Sequence, residues 1–182
     1  NCNFWPFLMQ WRDMIRAGKL GVIVYAECEY LHPIRSLLVD PATGERFWRA
    51  DRPPLVYCTH SLGPILEILD DRIVRVSALG KEQRVMPGVG VGAIDLQVAL
   101  CQTAQGATIR FARSSVLPRG ASHHYYRLLG TRGHVESGSR KLGSPGWLYV
   151  EGEMESGREI ECPLVDSSLP ESAWKGGHGT AE

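Results

Sequence analysis

Residues 94–116 read IDLQVALCQTAQGATIRFARSSV. Ile94, Leu96, Val98 and Leu100 alternate with polar or small residues, the period of a strand with one buried face. Ala104-Gln105-Gly106 is a turn signal, and Ala107–Val116 returns as a second strand. The same grammar recurs downstream. HYYRLLG at 124–130, Thr131-Arg132-Gly133 and His134-Val135-Glu136 spell a second hairpin, and Trp147–Val150 is one more short strand. A run of hairpin-linked strands is the signature of an antiparallel sheet.

Upstream the pattern changes. Phe4, Leu8, Trp11 and Ile15 fall on one face of a helix. Asn3 is placed to cap it, Pro6 suits its first turn, and Gly18 suits its end. Residues 20–32 form a β run with Val22, Val24, Ala26, Cys28 and Tyr30 on alternate positions. Residues 33–56, with four prolines, are a long connection, and long connections in small domains tend to carry function. Thr59 is placed to cap a helix over roughly 60–70, with Leu62, Ile65, Leu66 and Leu69 as its apolar side. Ile73, Val74 and Val76 begin a further strand. From about 151 the chain turns polar and loop-rich. Helices first and antiparallel strands after give an α+β fold, an open, predominantly antiparallel sheet with helices packed on one face.

Composition narrows the function. The 182 residues carry 20 Lys+Arg against 20 Asp+Glu, for a formal net charge of zero. A nucleic-acid binder needs a basic face that this balance does not suggest. No apolar run reaches the length of a membrane span. The five cysteines at 2, 28, 58, 101 and 162 are odd in number and contain no C-x-x-C, so neither a disulfide framework nor a zinc site is expected. Free thiols point to a reducing, cytoplasmic setting. Cys28 and Cys101 fall inside strand-like runs and read as buried apolar residues.

Several residues are candidates for chemistry. Tyr57-Cys58-Thr59-His60 lies at a loop-to-helix junction. His60 reads either as a general acid or base, with Tyr57 facing the same pocket, or as a surface histidine on a capped helix. Tyr30 and His32 close the first long strand on one face, where a site and a satisfied edge tyrosine are both open readings. Trp48-Arg49 offers a stacking face and a planar fork, suited to a carbohydrate or carboxylate, or else a packed loop tryptophan with a solvated arginine. Gly88-Val89-Gly90-Val91-Gly92-Ala93 matches a loose dinucleotide pattern. It lacks the preceding strand and following helix that the pattern requires, so it reads as a surface loop. His123 and His124 face opposite sides of a strand and do not suggest a shared metal. Asp70-Asp71 reads as a helix end and turn, and Gly176-Gly177-His178-Gly179 as a frayed tail.

Taken together, these pieces resemble the NAD(P)-dependent oxidoreductases of the glucose–fructose oxidoreductase / inositol dehydrogenase (Gfo/Idh/MocA) type. Residues 14–23 (MIRAGKLGVI) resemble the family's entry into its C-terminal domain. The His60 helix resembles the one bearing the family's active-site histidine. Leu129-Gly130-Thr131-Arg132-Gly133 with Glu136 resembles its G-T-x-G…E hairpin, and Gly177-His178-Gly179 the motif that opens its last helix. Within the family, Glu27 to His32, Trp48-Arg49, Tyr57 to Pro64 and Pro118-Arg119 look most like the branch that includes NAD-dependent glycosidases. Those enzymes oxidise a sugar hydroxyl transiently, eliminate the glycosidic group, add water and reduce back. Val56 stands where the family's dehydrogenases usually carry Asp. Cys58 and Pro33 stand where the glycosidase branch tends to have Pro and Asp.

The resemblance implies the following expectations. Tyr30, Tyr57 and His60 line a catalytic pocket. Arg49, Trp48, His32, Arg119 and His178 bind a sugar or polyol. NAD or NADP is held mainly by a separate N-terminal Rossmann domain, with no metal. Residues 1–182 are then a substrate-binding and oligomerisation domain, forming a homo-oligomer through the free sheet face, with the Rossmann domain and the final helix lying outside this chain. The start at Asn1, without an initiator Met, fits that expectation. The implied activity is oxidation of a secondary alcohol of a sugar or polyol. The alternatives are NAD-dependent glycoside hydrolysis by the same pocket, or a non-catalytic binding or assembly domain, which Val56 would allow.

Overall fold

A computed structural model describes residues 2–119, 122–168 and 170. The chain runs α1 (Pro6–Arg16), β1 (Ile23–Leu31), α2 (Leu62–Leu69), β2 (Ile73–Leu79), β3 (Gln97–Thr103), β4 (Thr108–Ser114), β5 (His124–Gly130), β6 (Gly133–Glu136), β7 (Gly146–Val150) and β8 (Arg158–Ile160). The eight strands form one sheet in the order β2-β3-β4-β1-β5-β6-β7-β8. Every pairing is antiparallel except β1 with β4, which is parallel. The expected α+β class and open, mostly antiparallel sheet are what the chain adopts.

The two helices pack on one face of the sheet. Phe7, Leu8 and Trp11 of α1 and Ile65 and Ile68 of α2 are buried with Ala26 and Cys28 of β1, Ile109 and Phe111 of β4, and Tyr126 and Leu128 of β5. These side chains alternate along each strand, as a half-buried sheet requires. The opposite face is polar near its centre. There Glu29 of β1 pairs with Arg110 of β4 at 2.8 Å, and Tyr125 of β5 donates to Glu136 of β6 at 2.8 Å. Towards β2 that face becomes apolar, with Leu79 and Leu100 exposed.

Several sequence expectations are corrected. The N-cap of α1 is Trp5, not Asn3, which lies in a preceding 3-10 turn over Cys2–Phe4. Pro6 does occupy the first turn, where its missing N–H is not needed. Thr59 does not cap α2, whose N-cap is Ser61 and has no side-chain cap bond. Val22 and Val24 do not share the buried face of β1. Ile23 opposes Gly130 while Tyr25 opposes Leu129, so Val24 is the extra residue of a bulge and points out. In β3 the buried face is Ala99, Cys101 and Thr103, while Leu100 is half exposed. The apolar alternation that announced the strand therefore belongs to its open face, and small residues fill the crowded side beneath the helices. Finally, the polar stretch after 151 contains β8, and its Cys162 is buried in the core.

Both Cys28 and Cys101 are buried, and the five cysteines form no disulfide with one another. No helix among the described residues is long and apolar enough to cross a membrane. No cluster of His, Cys, Asp or Glu among them could hold a metal ion.

Candidate functional site

The site is built on a single row of the sheet. Because β1 and β4 run parallel, their C-terminal ends emerge at the same rim, and Tyr30 pairs in register with Arg113. On its other side Tyr30 pairs with His124, the first residue of β5. Arg113 in turn pairs with Gln97 of β3. Residues paired across a sheet share a face, so Gln97, Arg113, Tyr30 and His124 line up on the helix-side face beyond the reach of the helices. The chain between β1 and α2 covers them instead. Its 3-10 turns at Trp48–Asp51 and Pro54–Val56 fold over the row, and Gln97 Oε1 accepts the Leu55 N–H at 3.1 Å.

Tyr57 and His60 are delivered from that cover. Tyr57 Oη and His60 Nε2 are 2.9 Å apart. The Tyr30 ring stands 6.2 Å from the Tyr57 ring and meets His60 edge-on at 5.5 Å. Tyr30 Oη is also 2.7 Å from His32 Nδ1. The His60 carbonyl accepts the buried Tyr126 hydroxyl, which ties the start of α2 to the sheet beneath it. The three residues Tyr30, Tyr57 and His60 thus come together, with His32 attached to them. Each phenol–imidazole contact can hold its proton on either partner, depending on the tautomer, which is the basis of proton transfer at a bound hydroxyl.

His124 completes the cluster. Its ring stacks on Tyr30 at 4.1 Å, and Trp5 meets it edge-on at 5.1 Å. Burial drives its pKa down to about 3, and the neighbouring His60, His123, His32 and Arg113 push the same way. It is therefore a neutral ring that supports Tyr30. The signal in the sequence is the adjacent His123-His124 pair. The two rings do not face opposite sides as expected: His123 precedes β5 and stacks on His32 at 4.2 Å, while His124 stacks on Tyr30, the hydrogen-bonded neighbour of His32.

A cleft of about 190 Å³ opens beside Tyr57 and is lined in part by Trp48, Arg49, Arg52, Arg113 and Ser115. Arg49 lies over the exposed Trp48 ring, 4.4 Å from its centroid. The pair expected to bind ligand therefore shares a cleft with Tyr57. Arg113 is a site residue that sequence reading missed. It is 1% exposed, its guanidinium lies 4.3 Å over the Tyr30 ring, and desolvation lowers its pKa to about 10. Its position in a strand-patterned run gave no hint, because alternation predicts an apolar residue there.

Arg119 lies elsewhere. Its guanidinium is drawn to Glu29 at 3.3 Å, on the face of β1 opposite Tyr30, and its Nε donates to the Ser122 carbonyl. His178 is outside the described residues. The glycine-rich stretch does not open a helix. It ends in a 3-10 turn over Val91–Ala93, and Gly92 packs directly against the Arg49 carbonyl. The described residues thus offer no strand–loop–helix cradle for a dinucleotide pyrophosphate.

Comparison with known proteins places this geometry in context. The model of the GFO/IDH/MocA C-terminal domain family matches residues 8–136. A glycosyl hydrolase family 109 protein of Shewanella putrefaciens is 26% identical, over 98% of this chain and 45% of its own length. Another from Streptomyces niveus is 29% identical, over 83% of this chain and 34% of its own length. The chain thus spans less than half the length of these curated relatives. Among solved structures, an inositol dehydrogenase homolog from Azotobacter vinelandii, complexed with NADH and myo-inositol, superposes with a TM-score of 0.63. It is 22% identical, over 85% of this chain and 39% of that one.

Proposed function

The chain belongs to the GFO/IDH/MocA C-terminal domain family, and on that premise we propose that it is the substrate-facing domain of an NAD(P)-linked oxidoreductase acting on a secondary alcohol of a sugar or polyol. The observation that carries this reading is the hydrogen-bonded Tyr57–His60 pair at 2.9 Å, set against Tyr30 and opening on the Trp48–Arg49 cleft.

The residues divide the work as follows. Trp48 stacks on an apolar sugar face, and the Arg49 fork holds hydroxyls. Tyr57 lines the cleft and meets the reacting hydroxyl. It accepts that proton as its own passes to His60 Nε2, so no charged phenolate need build up. Tyr30, held by His32 and His124, fixes the position of both rings. When bound, a nicotinamide would supply the hydride acceptor for the carbinol carbon. In this reading the cofactor is held by another part of the full-length protein, and this domain contributes the proton-handling side. The site then lies where the two parts meet. Isothermal calorimetry on residues 1–182 alone should show no tight NAD binding.

The decisive experiment is the His60→Ala change in the full-length protein. The kcat for polyol oxidation should fall by about 10²–10⁴-fold, the range for loss of a general acid–base group, with cofactor affinity near wild type. An unchanged kcat removes His60 from the mechanism.

The names of the curated relatives favour a second reading, NAD-dependent glycoside hydrolysis through the same pocket. Cleavage of nitrophenyl glycosides without net NADH production would identify it, and net NADH with a free polyol would identify the first.

For assembly, we propose a homo-oligomer through the open sheet face. The exposed Leu79 and Leu100 beside the Glu29–Arg110 pair support it, being an apolar patch with a polar neighbour.

A further inference from the structure

Arg113 presents a problem that the reaction above does not use or solve. A guanidinium has five N–H donors and is ordinarily buried only with a carboxylate. Here Nη1 donates to the Tyr30 carbonyl at 3.1 Å, and Nε has no hydrogen-bond partner among the described residues. Among the described residues no Asp or Glu lies within ion-pairing distance of it. The charge is met by the faces of Tyr30 and Tyr57, at 4.3 and 5.7 Å. Elsewhere in this neutral chain three partly buried arginines on the opposite sheet face are matched. Arg110 and Arg119 share Glu29, and Arg127 lies 3.6 Å from Glu136. An unmatched buried cation is destabilising, because the charge is taken out of water without a counter-charge to replace its hydration.

The cleft it lines makes the imbalance larger. Arg49 and Arg52 stand on the same lining, and no acidic residue does. Neither of these two forms a salt bridge among the described residues, and the nearby Asp51 is taken up by Arg46. Ser115 adds a hydroxyl at the same wall. Three arginines lining one cleft beside a tyrosine offer forked donors suited to a planar or tetrahedral oxyanion, which accepts paired hydrogen bonds from a guanidinium.

We propose that the Arg49–Arg52–Arg113 cleft is an anion subsite, and that the natural substrate carries a carboxylate or phosphate next to the hydroxyl handled by Tyr57 and His60. The proposal rests on the reading of Tyr57 and His60 as the reacting pair. The anion supplies the counter-charge that Arg113 lacks, so binding is strongest for ligands that carry one. A neutral polyol fills the Trp48 face and leaves Arg113 unmatched.

The test uses the full-length protein with NAD and separates binding from turnover. Thermal unfolding is followed with millimolar glucuronate, glucose 6-phosphate, inorganic phosphate or glucose. Glucuronate or glucose 6-phosphate should bind at least tenfold more tightly than glucose. The stronger of the two identifies carboxylate or phosphate, and inorganic phosphate reports the anion alone. Arg113→Met, which removes the buried charge at similar volume, should raise the melting temperature of the unliganded protein and abolish the anion preference. Arg52→Gln, at an exposed position, should weaken the anions about tenfold without touching the core. Equal affinity for glucuronate, glucose 6-phosphate and glucose overturns the proposal, even if polyols are oxidised and the functional reading stands. A melting temperature lowered by Arg113→Met, with Arg52→Gln binding the anions as wild type does, also overturns it, since Arg113 would then have a counter-ion within the protein. Anion binding without oxidation of any sugar upholds the subsite and removes the functional reading instead.

Discussion

Tyr30 and Arg113 are register partners on adjacent parallel strands, and the guanidinium of one lies 4.3 Å over the ring of the other. The phenol face is the main neighbour that the buried cation has. Replacing Tyr30 by Leu should therefore lower stability by about 2 kcal/mol or more, the scale of a desolvated cation–π contact. Tyr30→Phe keeps the face and removes the hydroxyl that meets His32 Nδ1, at a cost of about 1 kcal/mol. Urea unfolding of the two variants should show that order, and equal losses would mean that the ring face contributes little.

His124 makes stability depend on pH. Its folded pKa, depressed to about 3 by burial, lies below the ordinary histidine value of 6.5. Between those values the unfolded chain binds a proton that the folded chain refuses. Stability is therefore complete above pH 6.5 and declines as pH falls towards 3, with a limiting slope of about 1.4 kcal/mol per pH unit. The melting temperature should drop by up to about 3–6 °C per unit in that window for a chain of this size. His124→Phe, which stacks without titrating, should flatten the slope measured by calorimetry from pH 7 to 5. A variant with the wild-type slope would assign the effect to another group.

Gly92 lets two backbones touch. A methyl group there would overlap the Arg49 carbonyl and sit 2.9 Å from the Ala50 Cα. Gly92→Ala should push away the Trp48–Asp51 turn, costing about 1–3 kcal/mol as overpacking does. In the full-length protein it should raise the KM for sugar more than it lowers kcat. Gly88→Ala is its control for crowding, because nothing lies near a Cβ at that position, although its positive φ adds a small strain. Equal effects of the two on KM would show that close approach is not what Gly92 provides.

Leu100 tests the open face. It is half exposed on β3 beside the apolar edge of the sheet. Leu100→Glu should shift the sedimentation profile of the full-length protein from dimer or larger towards monomer, without changing its unfolding midpoint by more than about 0.5 kcal/mol. A wild-type protein that sediments as a monomer would end the assembly proposal.

Much of this fold was legible because hairpins are local. The Ala104-Gln105-Gly106 turn and the 124–136 hairpin announce themselves within a few residues. Strand phase was less legible. Leu100 and Val24 read as core by hydrophobicity, but a bulge at Val24 and small residues at Ala99 and Cys101 set the buried side. The candidate site was half legible. Tyr57 and His60 stand three residues apart at a visible junction, so their contact could be anticipated. The parallel pairing of β1 with β4 brings together residues 83 positions apart, and no local pattern encodes that. Arg113 was therefore invisible, as was the support that His124 gives Tyr30.

The parallel pair has one more consequence. With β1 and β4 ending at the same rim and β5 starting there, the connection 32–61 and the residue that follows β4, Ser115, lie over one row of side chains, while the register that holds the row lies in the strands below. Ligand preference can therefore be rewritten by exchanging loops, with the scaffold left intact. The rim is a natural place for relatives of one architecture to diverge, and for an engineer to graft a new specificity.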